Sequence, residues 1–115
     1  MAYSPKQGDI IKMNFNPTKG HEQQGRRPAV IVSNASYNKF ARGVAIVCPI
    51  TNTDREMPLQ PKLDSRTITT GVVMTDQIKA LDLTERNAEF AEEMPVDILA
   101  EVCDIVSGYS KMDKR

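Results

Sequence analysis

Residues 15–30 read FNPTKGHEQQGRRPAV, and seven of them carry side chains that can bind or move charge: Lys19, His21, Glu22, Gln23, Gln24, Arg26 and Arg27. A guanidinium presents a planar fork of N–H donors that matches phosphate oxygens. Arg26 and Arg27 stand directly before Pro28 and an apolar run, so at least one guanidinium leaves the loop at the edge of the core with its geometry fixed. Glu22 can orient that guanidinium or accept a proton, and Gln23 and Gln24 add neutral hydrogen-bonding arms suited to base edges. Gly20 and Gly25 let the chain between them bend sharply enough to gather these groups. The competing reading is a solvated hairpin loop whose charges do nothing. With a single histidine and no Cys-x-x-Cys spacing, a zinc site has little to work with, and His21 is read as an exposed ring without a role.

The elements that must hold this loop are short strands. The segment GDIIKMNF follows a Gly-Asp turn signal and alternates over residues 11–15, which predicts a first strand. PAVIVS is a continuous β-branched run, the pattern of a buried central strand. NASYNKFARG predicts one helical turn capped by Ser33 or Asn34, with Tyr37 and Phe40 turned to the core, and VAIVCPI a third strand with an edge or bend at Pro49. Residues 51–66 are polar and punctuated by proline, so they read as a connection with at most one short strand near 57–60. TGVVMTDQIKAL predicts a further strand opened by Gly71. From Pro95 onward, Ile98, Leu99, Val102, Ile105, Val106 and Tyr109 fall at three-and-four spacing, one apolar stripe on a helix. Pro95 suits its first turn, Asp97 its positive end, and Gly108 its stop.

The whole chain, 115 residues with 40% hydrophobic and 26% charged side chains, is read as one domain, 1–115, with an ordinary globular composition. Four or five strands followed by an amphipathic helix make it mainly β (α+β), a small, strongly bent sheet or barrel capped by the helix. No apolar run approaches the ~18 residues needed to span a bilayer, and the N-terminus lacks a signal-peptide core, so the chain is expected to be cytoplasmic and away from membranes. Cys48 and Cys103 are read as two reduced thiols in apolar settings. The formal charge of zero is a cancellation: residues 1–56 carry eight Lys and Arg against four Asp and Glu, and residues 57–115 carry seven against eleven. A basic N-terminal half can offer a surface to phosphate if the halves map onto faces.

GDIIKMNFNPTKGHEQQGRRPAVIVS resembles the opening of the MazF/PemK toxin family, with its Gly-Asp, its Pro-x-x-Gly turn and its Glu-Gln-x-Gly-x-Arg-Pro loop. CPIT at Cys48–Thr51, TGVVMTDQIKALD and VDILAEVCDIV resemble its later strands and last helix. The resemblance implies an SH3-like or CcdB-like β-barrel of about five to seven strands that forms a homodimer. It also implies the toxin of a type II toxin–antitoxin pair that cuts single-stranded RNA at short sequences without a metal or other cofactor. A MazE-like antitoxin is the expected protein partner. Carried over by position, Arg27 aligns with the family's catalytic arginine and Thr51 with its strand-end threonine, while Glu22 matches its loop acid. Lys19, Gln23, Gln24, Asn52, Asp76, Gln77 and Lys79 are the expected RNA contacts. Arg27 would clamp the phosphate with help from the Thr51 hydroxyl, and Glu22 or Asp76 would be the better base, because a guanidinium is a poor proton acceptor at neutral pH. The alternative is a CcdB-like toxin that binds a gyrase and leaves RNA intact.

Overall fold

In a computed structural model of the chain, residues 3–14, 26–53 and 58–114 are described. Three antiparallel strands form its centre: β1 (Asp9–Asn14), β2 (Arg26–Ile31) and β3 (Val44–Thr51). β6 (Glu89–Glu93) pairs along the outer edge of β1. β4 (Val72–Val73) and β5 (Lys79–Asp82) share the far edge of β3, β5 pairing with Val44–Val47 and β4 with Ile50 and Thr51. A seven-residue helix, α1 (Ala35–Ala41), joins β2 to β3, and α2 (Val96–Tyr109) closes the chain. The result is a barrel-like, mainly β sheet of six strands whose pairing ends at β4 and β6.

Both faces of the central sheet are covered, which is why β2 and β3 read as unbroken apolar runs. Ile10, Val30 and Cys48 face α2 and meet Ile98 and Val102, while Ile11, Met13, Ala29, Ile31 and Val47 pack on the opposite face with Leu83. β1 therefore does not alternate as expected: it is buried at every position except Lys12. Gly8 lets α2 come this close. Its φ is +93°, and a Cβ there would lie 2.7 Å from Leu99 Cδ2.

Several boundaries differ from expectation, each for a local reason. The strand expected after Gly71 breaks in two, because a 3-10 turn over Thr75–Gln77 separates β4 from β5. Pro49 lies inside β3, where the far edge passes from β5 to β4. Its carbonyl accepts from Met74 N at 2.8 Å, and the amide hydrogen it lacks would point into that break. No strand forms over 58–60, and the pairing residue of this connection is Lys62, bridged to Val72. Phe40 is 84% exposed on α1 and not in the core. That helix is capped by Asn34, whose Oδ1 accepts from Tyr37 N at 3.0 Å. Pro95 is the N-cap of α2, outside its first turn, and Gly108 lies within the helix and does not end it.

Candidate active site

The two arginines that open β2 have different surroundings. Arg26 is half-buried and its guanidinium is engaged inside the protein. Nη2 donates to Glu89 Oε1 at 2.8 Å and to Lys12 O at 3.2 Å, and Nη1 donates to Asn87 O at 3.1 Å and Asn14 Oδ1 at 3.4 Å. It ties β1, β2, β6 and the turn before β6 together. Arg27 points to the other face, since successive side chains alternate along a strand. It is exposed and makes no hydrogen bond or ion pair among the described residues.

The β2–β3 ladder pairs Ile31 with Val47 and Ala29 with Pro49. The ladder ends there: Arg27 lies two residues before Ala29 on β2, and Thr51 two residues beyond Pro49 on β3, where it pairs with Val72 of β4. Thr51 ends β3, and its Oγ1 accepts from Thr53 N at 3.1 Å. That turn bond holds the side chain and leaves the hydroxyl proton for another acceptor. Behind Thr51 the backbone of Gly71 comes unusually near. A Cβ on Gly71, whose φ is +120°, would sit 2.3 Å from Thr51 O, so only glycine permits this approach without movement.

Thr51 and Gly71 also line a groove of about 380 Å³ with Asn52, Lys62, Asp64 and Thr70. Thr70 Oγ1 donates to Asn52 Oδ1 at 2.8 Å, which leaves the Asn52 NH2 group as a donor for another acceptor. The outer wall is cross-braced. Arg66 donates from Nη1 to Asp97 Oδ1 and from Nη2 to Asp64 Oδ2, both at 2.8 Å, and Glu92 accepts from Thr69 N at 2.7 Å and Ile68 N at 3.1 Å. The hydrogen bonds from Arg66 hold Asp64 down to about 2 and lower Asp97 as well. Burial pushes Glu92 upward, but the Thr69 and Ile68 donors and the Lys12 charge outweigh it, and the carboxyl titrates below its ordinary value.

Asp76 and Gln77 are exposed in the 3-10 turn, with Lys79 exposed on β5 just after it. Their support is Thr75, 1% exposed, whose hydroxyl donates to Leu59 O at 2.6 Å. With that proton committed, the Tyr109 hydroxyl at 2.8 Å must be the donor of the second bond, which locks the turn to the end of α2. Since Met74 N bonds Pro49 O, the Asp-Gln pair starts beside the same strand that ends in Thr51. Burial drives the nearby Cys48 thiol up to about 12, with the neighbouring Cys103 and Asp76 charges adding to it, and neither cysteine is in a disulfide.

Thr51 and Asn52 thus stand together at the end of β3 and the Asp76–Gln77 turn starts beside Pro49 of the same strand, whereas among the described residues no hydrogen bond joins Arg27 to either, and Lys19, His21, Glu22, Gln23 and Gln24 lie outside the described residues. Sequence reasoning missed Lys62, Thr70, Gly71 and the Arg66 brace. The Asp-Ser-Arg spacing hints at the Asp64–Arg66 pair, but nothing local could name Asp97, 31 residues away. Nor do the two halves' charges map onto two faces: Arg26 is neutralised by Glu89, and Lys12 lies near Glu92. No helix among the described residues is long and apolar enough to cross a membrane.

Residues 6–107 match the family model described as the PemK-like, MazF-like toxin of type II toxin-antitoxin systems. The chain is 39% identical over 101 residues to the endoribonuclease PemK of Escherichia coli, covering 84% of this chain and 75% of that one. The crystal structure of MazF from Deinococcus radiodurans superposes with a TM-score of 0.81 at 38% identity, over 94% of this chain and 97% of that one. A MazE-MazF crystal structure from the same organism gives 0.81 at 33% identity, over 97% and 100%.

Proposed function

The chain belongs to the PemK-like, MazF-like family of type II toxins, and from that membership we propose that it is an endoribonuclease that cuts single-stranded RNA, messenger RNA included, and so stops translation. The observation that supports the mechanism is the division of labour in β2: Arg26 is consumed by structure, while Arg27, on the strand next to the one that ends in Thr51, stands exposed and unpartnered among the described residues. A phosphate between them would accept two N–H groups from Arg27 and the hydroxyl proton of Thr51, so charge developing on its oxygens meets donors already in place. The ribose 2′-OH gives its proton to Glu22 or Asp76, its oxygen bonds to phosphorus, and the 5′-oxygen leaves and takes up a proton. The products are a 2′,3′-cyclic phosphate and a free 5′-OH. Lys19, Gln23, Gln24, Asn52, Gln77 and Lys79 are the expected contacts to the RNA strand.

A homodimer, a MazE-like antitoxin and a cytoplasmic location follow from the same membership, the antitoxin with the support of the MazE-MazF neighbour. The CcdB-like alternative, a gyrase-binding protein, finds no support in these similarities. Incubating the purified protein with a mixed-sequence RNA in EDTA tests the proposal. Fragments with a free 5′-OH are expected; activity restored only by Mg²⁺, or a 5′-phosphate, overturns the mechanism. The low-pH limb of the rate profile disappears in whichever of Glu22→Gln and Asp76→Asn removes the base.

A further inference from the structure

On the ribonuclease reading above, we infer that the groove beside Thr51 reads one base flanking the scissile phosphate, and that it takes a keto base, guanine or uracil, in preference to adenine or cytosine. The groove's volume, about 380 Å³, lies at the small end of the range of ~300–1,000 Å³ for ligand sites, room for one nucleotide. Because Thr51 lines it, a nucleotide held there adjoins the phosphate that Thr51 and Arg27 would bind.

The selectivity comes from which hydrogen-bonding groups are already spent. Asp64, the groove's carboxylate, is committed to Arg66: Oδ1 accepts from Arg66 N and Nε, each at 3.0 Å, and Oδ2 from Nη2 at 2.8 Å. The Thr67 hydroxyl donates to Thr69 O at 2.6 Å and that of Thr70 to Asn52 Oδ1 at 2.8 Å. The Asn52 Nδ2 group and the Lys62 ammonium make no hydrogen bond among the described residues. The charged and amide groups left over are therefore donors, of longer reach than the Ser65, Thr67 and Thr70 hydroxyl oxygens, which keep acceptor lone pairs at the wall. Guanine O6 and uracil O4 accept from them, whereas adenine N6 and cytosine N4 set a donor against a donor. Thr70 is the positioning residue: it never needs to touch the base, yet its bond decides which end of the Asn52 amide is left for another partner. Gly71 and the Arg66 and Glu92 braces hold the wall that carries it.

The test maps cleavage ends in a random-sequence RNA for the wild type and for Asn52→Asp, Thr70→Val and Thr70→Ser, each checked for an unchanged melting curve. The expected wild-type pattern favours guanine or uracil by at least ~10-fold at one position within two nucleotides of the cut, the scale of one hydrogen bond exchanged for a donor–donor clash. Asn52→Asp presents only acceptors and should move that position to adenine or cytosine with the other positions kept. Thr70→Val, which frees the amide to turn, should flatten it, and Thr70→Ser should restore it. An amino-base preference in the wild type, or a keto preference that survives in Asn52→Asp, overturns the inference. If the wild type cuts nothing, the ribonuclease reading is the one that fails. The groove is then judged by binding of uridylate against cytidylate pentamers: a uridylate preference that reverses in Asn52→Asp supports it, and equal binding overturns it.

Discussion

Replacing Gly71 by alanine puts a methyl group where the backbone of Thr51 already is. Two costs add. A non-glycine residue held at this backbone conformation costs about 1–3 kcal/mol. The clash, a Cβ 2.3 Å from Thr51 O, cannot be relieved by a side-chain rotation, so either β4 or the end of β3 must move and weaken the pairing of Thr51 with Val72. Losing one or two such backbone bonds adds about 1–2 kcal/mol. The sum, about 2–5 kcal/mol, is a large part of the ~5–15 kcal/mol of a typical domain, and at about 4 °C per kcal/mol the Tm should fall by about 8–20 °C. Gly108→Ala is the matched control: nothing lies within 4 Å of a Cβ there, and the residue is helical. It should raise stability by up to about 1 kcal/mol. Thermal unfolding followed by circular dichroism reads both, and RNA cleavage well below the lower Tm reads the displacement of Thr51. A Gly71→Ala protein that melts with the wild type refutes the close approach; one that melts early yet keeps the wild-type kcat when folded refutes the role of Gly71 in placing Thr51.

Arg27→Lys keeps the charge and loses the fork, so cleavage should fall by at least ~10²-fold with Tm unchanged, whereas Arg26→Lys should lower stability by about 1–3 kcal/mol and leave the folded protein's kcat close to wild type; equal activity losses at both would mean that loop charge as such carries the reaction. In acid, Asp64 has its pKa depressed by Arg66, so the stability it adds is present above its ordinary 3.8 and is lost as pH falls towards about 2. Tm measured across that window should drop less steeply in Asp64→Asn than in the wild type, and parallel curves would remove Asp64 from the account. Cys48, buried and raised to about 12, should react with a thiol reagent at pH 8 only in denaturant, and prompt labelling of the native protein at Cys48 would contradict its burial.

The chemistry of this fold is more local than its architecture, and the two were legible to different degrees. The Arg26-Arg27-Pro28 step stands out by its composition, whereas Thr51 and the Asp76-Gln77 pair were singled out only through the family resemblance. The heptad-like stripe of α2 was equally visible, since a helix that buries Ile98 and Val102 must repeat its apolar positions. β6 was not anticipated: Glu89, Glu92 and Glu93 describe a polar loop unless the vacant edge of β1 is known to be beside them. The separate duties of Arg26 and Arg27 were equally hidden, for neighbouring identical side chains differ only in the face they occupy. The groove escaped notice because its parts, Asn52, Lys62 and Thr70, are ordinary residues brought together by the turn of β4 against β3.

β3 is hydrogen-bonded to β2 on one side and to β5 and β4 on the other, so it joins segments from 26 to 82. None of these neighbours can complete its ladder before residues 72–82 return to residues 44–51, a non-local closure that places folding in the slow, millisecond-to-second range of β-rich domains. The same dependence makes the amides of Val47 and Cys48 candidates for exchange with solvent deuterium only through global unfolding, while the ends of β1 and β6 exchange through local opening. Thr51 is the last residue of that late-opening strand. Its hydroxyl therefore hangs from the end of the strand expected to open last, held there by the pairing with Val72.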